Sequence, residues 1–260
     1  MLFLSRTVFC QELFVYTEPA SNMATNNLGI RNMGSLMKKT DDLGYNFHFM
    51  PELMYGISNK VMLHATGFIS TRNQGFIAEG GSVYAKYKFL NFDEVQEHFR
   101  VATFGRYSFN SSDVHQEEIN LLGHNSGYEV GFVATQLLHK LAISASTSFL
   151  KAQNNGTQNG FPSNQASKAG MYTLSFGRLV LPKKYVAYNQ PNLNLMCELL
   201  GQSLLENGKS YLDVAPSVQL IFSSKIRIDL GYRQQLYSSM VRTAPNGFLL
   251  RLEYNIFNAF

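Results

Sequence analysis

Phe248-Leu249-Leu250-Arg251-Leu252-Glu253-Tyr254-Asn255-Ile256-Phe257-Asn258-Ala259-Phe260 is the stretch that decides the fold. Phe248, Leu250, Leu252, Tyr254, Ile256 and Phe260 share one parity, and Arg251, Glu253 and Asn255 share the other. Successive side chains of a β-strand point to opposite faces. One face of this strand is therefore fit for lipid and the other for water or ion pairs, which is the pattern of a transmembrane barrel. The preceding segment repeats it, with Ile226, Ile228, Leu230 and Tyr232 alternating with Arg227, Asp229 and Arg233.

Working back along the chain, similar segments recur at Leu212–Phe222, Leu193–Gln202, Met171–Leu179, Leu141–Phe149, Tyr128–Gln136, Phe99–Phe109, Val83–Phe89, Val61–Ile69, Phe47–Ile57 and, least regularly, Leu28–Met37. The total is about twelve strands, an even number as bacterial barrels require. The predicted fold is all-β, a transmembrane antiparallel up-and-down β-barrel. Ser58–Lys60, Leu138–Lys140 and Ser223–Lys225 read as tight turns at the periplasmic end. Ser111–Asn125, Lys151–Lys168 and Ser239–Asn246 read as long loops at the other end. Asn91–Glu97 and Pro182–Pro191 read as longer periplasmic links. A soluble β-sandwich also alternates, but its polar faces are solvated and its loops are not long at one end only.

Composition agrees. Hydrophobic residues make up 45% of the chain, yet no apolar run approaches the roughly 20 residues of a membrane helix. Aromatics reach 13%, as the girdles of a barrel require. A net charge of +4 without any Lys/Arg run gives no reason to expect a nucleic-acid partner. Residues 1–10, MLFLSRTVFC, read as the remnant of a signal peptide, leaving residues 11–260 as the barrel. Phe9 stands where a lipoprotein signal wants a small residue, which argues against lipidation of Cys10. Cys10 and Cys197 are not expected to pair. Phe260 resembles the terminal aromatic signal of bacterial outer-membrane proteins.

Pro51-Glu52-Leu53, Tyr55-Gly56-Ile57-Ser58, Ala215-Pro216 with Gln219, and Gly231-Tyr232 together resemble outer-membrane transporter barrels linked to phenol and other aromatic degradation pathways. The resemblance implies a small-molecule channel. The chain departs from the family in its long loops and in a short mature N-terminus with no evident plug.

Parity places Glu52, His64, Lys86, Arg100, Arg106, Glu129, Glu198, Arg227, Asp229, Arg233, Arg251 and Glu253 in the lumen. Either these pair and fill the interior, or they line a polar pore with a transverse field. In the second case Arg100, Arg106, Arg227, Arg233 and Arg251 form a basic wall facing Glu52, Glu129, Glu198 and Glu253. His48, Met50, Met54, Met62 and His64 share inward parity and are soft ligands of the kind that suit Cu(I). Methionine is also a common gap-filler, so neither a metal nor another cofactor is expected.

His124 and Ser126 share a face that parity turns outward, near the outer leaflet. The pair resembles the His-x-Ser arrangement of outer-membrane phospholipases and lipid A deacylases, in which His activates Ser. No residue to orient His124 is evident. Three functions follow: a channel for small solutes, a closed structural barrel or subunit of an envelope assembly, or an acyl hydrolase using His124 and Ser126. The expected surroundings are outer-membrane lipid and lipopolysaccharide, with envelope proteins as partners and an unidentified small-molecule solute.

Overall fold

The structure, a computed structural model, describes residues 14–40, 44–71, 75–94, 97–182 and 190–259. Twelve strands form one closed antiparallel barrel: β1 Leu28–Lys38, β2 Tyr45–Gly56, β3 Val61–Ser70, β4 Ile77–Glu94, β5 Glu97–Asn110, β6 Ser126–Leu138, β7 Leu141–Gln153, β8 Lys168–Leu181, β9 Asn192–Leu204, β10 Ser210–Phe222, β11 Ile226–Ser238 and β12 Asn246–Ile256. Each pairs with its sequence neighbours, and β1 pairs with β12 to close the ring. Closure leaves no open strand edge, so the backbone polar groups of the wall are satisfied by ladder bonds.

The alternation decides which side faces what. Phe132, Leu230 and Phe248 are 56%, 54% and 52% exposed on the outside, whereas Glu198, Asp213 and Asp229 are 0% exposed inside. That is the reverse of a soluble barrel and matches a lipid-facing wall. No helix among the described residues is long and apolar enough to cross a membrane; the strands make the wall.

One end of the barrel is held by short turns, including Ile57–Lys60, His139–Lys140 and Ser223–Lys225. The β4–β5 ladder also runs to this end, pairing Glu94 with Glu97. The long link expected over Asn91–Glu97 is therefore mostly strand, because Arg100 bonds Asn91 and Asp93 across that ladder. The segments 111–125, 154–167 and 239–245 gather at the opposite end. Residues 1–10, Cys10, Phe260 and most of Pro182–Pro191 lie outside the described residues.

The interior corrects one expectation outright. The segment Phe14–Asn27 enters the barrel at the turn end and packs within it as a plug, which nothing in the sequence gives reason to expect. Phe14, Val15 and Ala20 are 2%, 3% and 0% exposed.

Candidate functional site

The plug is not a strand, so its backbone must find partners among lumen side chains. Glu198 of β9 accepts the N–H groups of Val15, Tyr16 and Thr17 at 2.8, 2.9 and 2.9 Å, and the Thr17 hydroxyl at 2.7 Å. Arg251 of β12 donates to the carbonyls of Val15 and Phe14 at 2.9 and 2.6 Å. Lys86 of β4 donates to those of Pro19 and Ser21 at 2.6 and 2.8 Å. Ala20 donates to Thr135 Oγ1, and Arg100 donates to the Ser21 hydroxyl.

Inward glycines make the room. A Cβ on Gly231 would stand 2.8 Å from the Tyr16 ring, and one on Gly177 would stand 3.3 Å from Phe14. One on Gly56 would overlap the carbonyl of Ala24. Gly56 and Gly231 belong to the phrases that carry the family resemblance, and here their bareness accommodates the plug.

Charged side chains lock the same half of the barrel. Arg31 bonds Glu18, Glu52 and Glu253 at 2.7, 2.9 and 2.8 Å. Arg227 continues from Glu253 at 2.6 Å to Asp229, which Arg251 also contacts. The basic and acidic walls facing each other across the lumen are not what forms. Arg106 lies opposite Glu129, Arg227 opposite Glu253, and Arg251 opposite Asp229, all on adjacent strands. The sheet register places opposite charges side by side, and cross-strand neighbours are the nearest available partners.

The long-loop end is narrowed by segment 111–125 folded inward. Gln202 of β9 accepts the Ile119 N–H at 2.9 Å and returns a bond to its carbonyl at 2.8 Å. Ile119 and Leu121 pack with Leu150, Leu204, Tyr211 and Met240. Glu118 accepts from Arg242 at 2.7 Å and Arg233 at 3.3 Å, while both arginines also hold Asp213. Burial pushes the Glu118 carboxyl up, but Arg242 and Arg233 outweigh it and hold it below its ordinary value.

Between plug and loop lies a chamber of about 240 Å³. Tyr16, Thr17 and Glu18 form its floor, Ile119, Asn120 and His124 its roof, and Tyr84, Phe104, Arg106, Glu129 and Arg233 parts of its wall. All twelve residues assigned to the lumen by parity point inward. Arg106, Glu129 and Arg233 reach the chamber; Lys86, Arg100, Glu198 and Arg251 hold the plug directly. Glu52, His64, Arg227, Asp229 and Glu253 belong to the charge network of that half.

The methionine and histidine set does not converge. Met33 and Met50 pack against Phe68 and Leu122. Met62 sulfur accepts the Met23 N–H at 3.3 Å, and Met54 lies over Gly29. His48 stacks on His124 with ring centroids 4.9 Å apart, whereas His64 bonds Glu52 at 3.2 Å in the plugged half. Glu18, Glu52 and His64 do bring ligand atoms within 4.8 Å of one another. Arg31 already supplies the positive charge there, through both carboxylates.

The outward placement of His124 and Ser126 is also corrected. His124 turns into the barrel onto His48 and lines the chamber. Ser126 is 3% exposed, donates to the Asn110 carbonyl at 3.0 Å and accepts the Asn110 N–H at 2.8 Å. Asn155 ties both residues through their backbones, accepting from Ser126 N–H and donating to the His124 carbonyl. The inward fold of the loop, with Gly127 at φ +149°, breaks the parity from which the face was inferred.

Glu18, Arg31, Arg242 and Gln202 organise the interior and escaped the sequence reading. Arg31 lies in Leu28–Met37, the least regular of the alternating segments, which hid its inward face. The others lie outside regular alternation or are uncharged.

The sequence matches no family model and no curated protein. An outer-membrane channel from Pseudomonas putida F1 is similar in structure, with TM-score 0.56 and 11% identity over 93% of this chain and 99% of that one. The NanC porin aligns at TM-score 0.49 and 12% identity, covering 87% of this chain and 97% of its own. The first likeness is one of fold: a closed membrane barrel.

Proposed function

We propose that the chain is an integral outer-membrane channel for small solutes, closed in this state by its own N-terminal segment. The observation that carries the reading is the chamber between Tyr16–Glu18 and Ile119–His124. Both of its barriers are segments outside the strand ladder, held by side chains rather than by strand pairing. Either barrier can move without opening the wall, so a continuous passage needs only local rearrangement. The lipid-facing exterior supports a membrane setting, with lipid and lipopolysaccharide as its surroundings. The similarity to a solved outer-membrane channel supports the outer membrane as the location. The resemblance to barrels of aromatic degradation pathways favours a small organic solute.

Single-channel recording of the refolded full chain in a planar bilayer tests this. Gly231→Leu, which places a side chain where Tyr16 packs, is expected to raise the open current well above that of the native chain. Adding Arg106→Glu to that variant should shift the current toward cations. Silence from folded native and Gly231→Leu barrels alike would overturn the channel. The plugged half, packed with Arg31, Arg227 and Arg251 and their acids, favours a closed structural or assembly-subunit barrel in that event.

A further inference from the structure

We infer that the chamber is a binding site for a small organic anion, a monocarboxylate with a compact apolar or aromatic body, and that Arg106 receives its carboxylate. The inference deepens the channel reading and rests on it for its purpose, but the binding itself can be measured apart from conductance.

The charges around the chamber are not equivalent. Glu18 is taken by Arg31 at 2.7 Å. Glu118 is taken by Arg242 and Arg233, and Arg233 in turn by Asp213 at 2.6 Å. Arg106 differs. Its Nε donates to Glu129 at 3.3 Å, a long bond, while Glu129 also accepts the Ser148 hydroxyl at 2.7 Å. Among the described residues, the two terminal nitrogens of Arg106 donate to no one. Its guanidinium carbon stands 4.9 Å from the centroid of the Tyr84 ring, within reach of a cation–π contact.

A planar guanidinium held from one side, with both terminal nitrogens open, matches a carboxylate in two parallel bonds. The chamber has a mixed wall: Phe104, Met50, Met171, Leu200 and Leu249 give it an apolar face for the body of the guest, beside polar side chains such as Gln116, Asn120 and Thr173. Its volume of about 240 Å³ is below that of pockets for drug-sized ligands, so the guest is small. Glu129 offsets part of the Arg106 charge, so an inorganic anion gains less there than a guest that also covers the apolar face.

Equilibrium dialysis of the purified full chain in detergent at low salt, with benzoate as the probe, tests the site. Benzyl alcohol supplies the same body without the charge, and acetate the head without the body. Benzoate is expected to bind about tenfold or more tightly than either. The double variant Arg106→Gln with Glu129→Gln, which leaves no unpaired charge, should lose about tenfold or more of the benzoate affinity. Equal binding of benzoate and benzyl alcohol to the native chain overturns the proposal, and this comparison needs no variant. So does full benzoate affinity in the double variant, or no benzoate binding to a folded barrel. A barrel silent in bilayers that binds benzoate through Arg106 would lose the passage and keep the site. A conducting barrel without that binding would lose the site alone.

Discussion

Glu198 holds Thr17 twice, accepting its backbone N–H at 2.9 Å and its hydroxyl at 2.7 Å through the same oxygen. The other oxygen accepts the N–H groups of Val15 and Tyr16. One carboxylate thus replaces the ladder partners that a plug without strand structure lacks. An anion suits the role because it accepts on both oxygens and offers no hydrogen to oppose the donors.

Glu198→Gln is therefore expected to loosen the plug without unfolding the barrel. The amide NH2 would face backbone N–H groups, and hydrogen bonds to a charged acceptor, worth about 1.5–3 kcal/mol, would weaken. Amide exchange at residues 15–17 should accelerate while the ladder amides of β8 and β9 keep their protection. Unchanged protection at 15–17 would show that Glu198 does not hold the segment.

Gly56 makes a steric counterpart to that electrostatic hold. A Cβ there overlaps the Ala24 carbonyl, which is backbone and cannot rotate aside. Gly56→Val should push residues 23–27 away from β2 and open the bond from Asn26 N–H to the Gly56 carbonyl, now 2.8 Å. Limited proteolysis is expected to cut the N-terminal segment of the variant faster than that of the native chain, with the barrel core remaining intact. Equal cutting of both would place the close contact elsewhere.

How much of this was legible in the sequence depends on where the information sits. The strands were legible because period-two alternation is local: Ile226–Arg233 and Phe248–Asn255 reveal their faces from neighbouring residues. The plug was not, because its determinants are dispersed over Lys86, Thr135, Glu198 and Arg251, while residues 14–27 have no periodicity of their own. The inward parity of Gly56, Gly177 and Gly231 was the sign of a guest. Pairing of the lumen charges was foreseen as one alternative. The partners were not, since inward parity alone leaves the relative register of two strands open until the ladder is known. His124 and Ser126 misled because the inward loop and Gly127 interrupt the alternation at that point.

The loop at the other end has its own pH dependence. Glu118 lies below its ordinary value of 4.5 in the folded protein, since burial is outweighed by Arg242 and Arg233. A depressed carboxyl contributes stability that is present above its unfolded value and lost as pH falls through the folded one. The loop should therefore hold steadily from neutral pH down to about 4.5 and loosen below it. Amide exchange at Ile119, whose N–H bonds Gln202, reads this directly. Glu118→Gln should show the loosened exchange already at neutral pH; a native loop that loosens between pH 7 and 5 would require a different titrating group.

Arg31 presents the largest expected cost. It answers Glu18 of the plug, Glu52 of β2 and Glu253 of β12 at once, with its side chain 7% exposed. Arg31→Met keeps much of the volume but leaves three acids with reduced compensation. Removing one partner of a buried charge set costs about 3–5 kcal/mol, because the remaining charge stays where water does not reach. The variant should unfold at clearly lower denaturant and release the plug as well, since Glu18 loses its 2.7 Å partner. Replacing Glu18 and Glu52 by Gln in the same chain removes two of the stranded charges and should restore part of the loss, with Arg227 still available to Glu253 at 2.6 Å. Denaturant midpoints of the three chains separate the two explanations. Recovery in the triple variant means that Arg31 acts by neutralising charge, and no recovery means that its guanidinium is needed as a geometric tie between plug and wall.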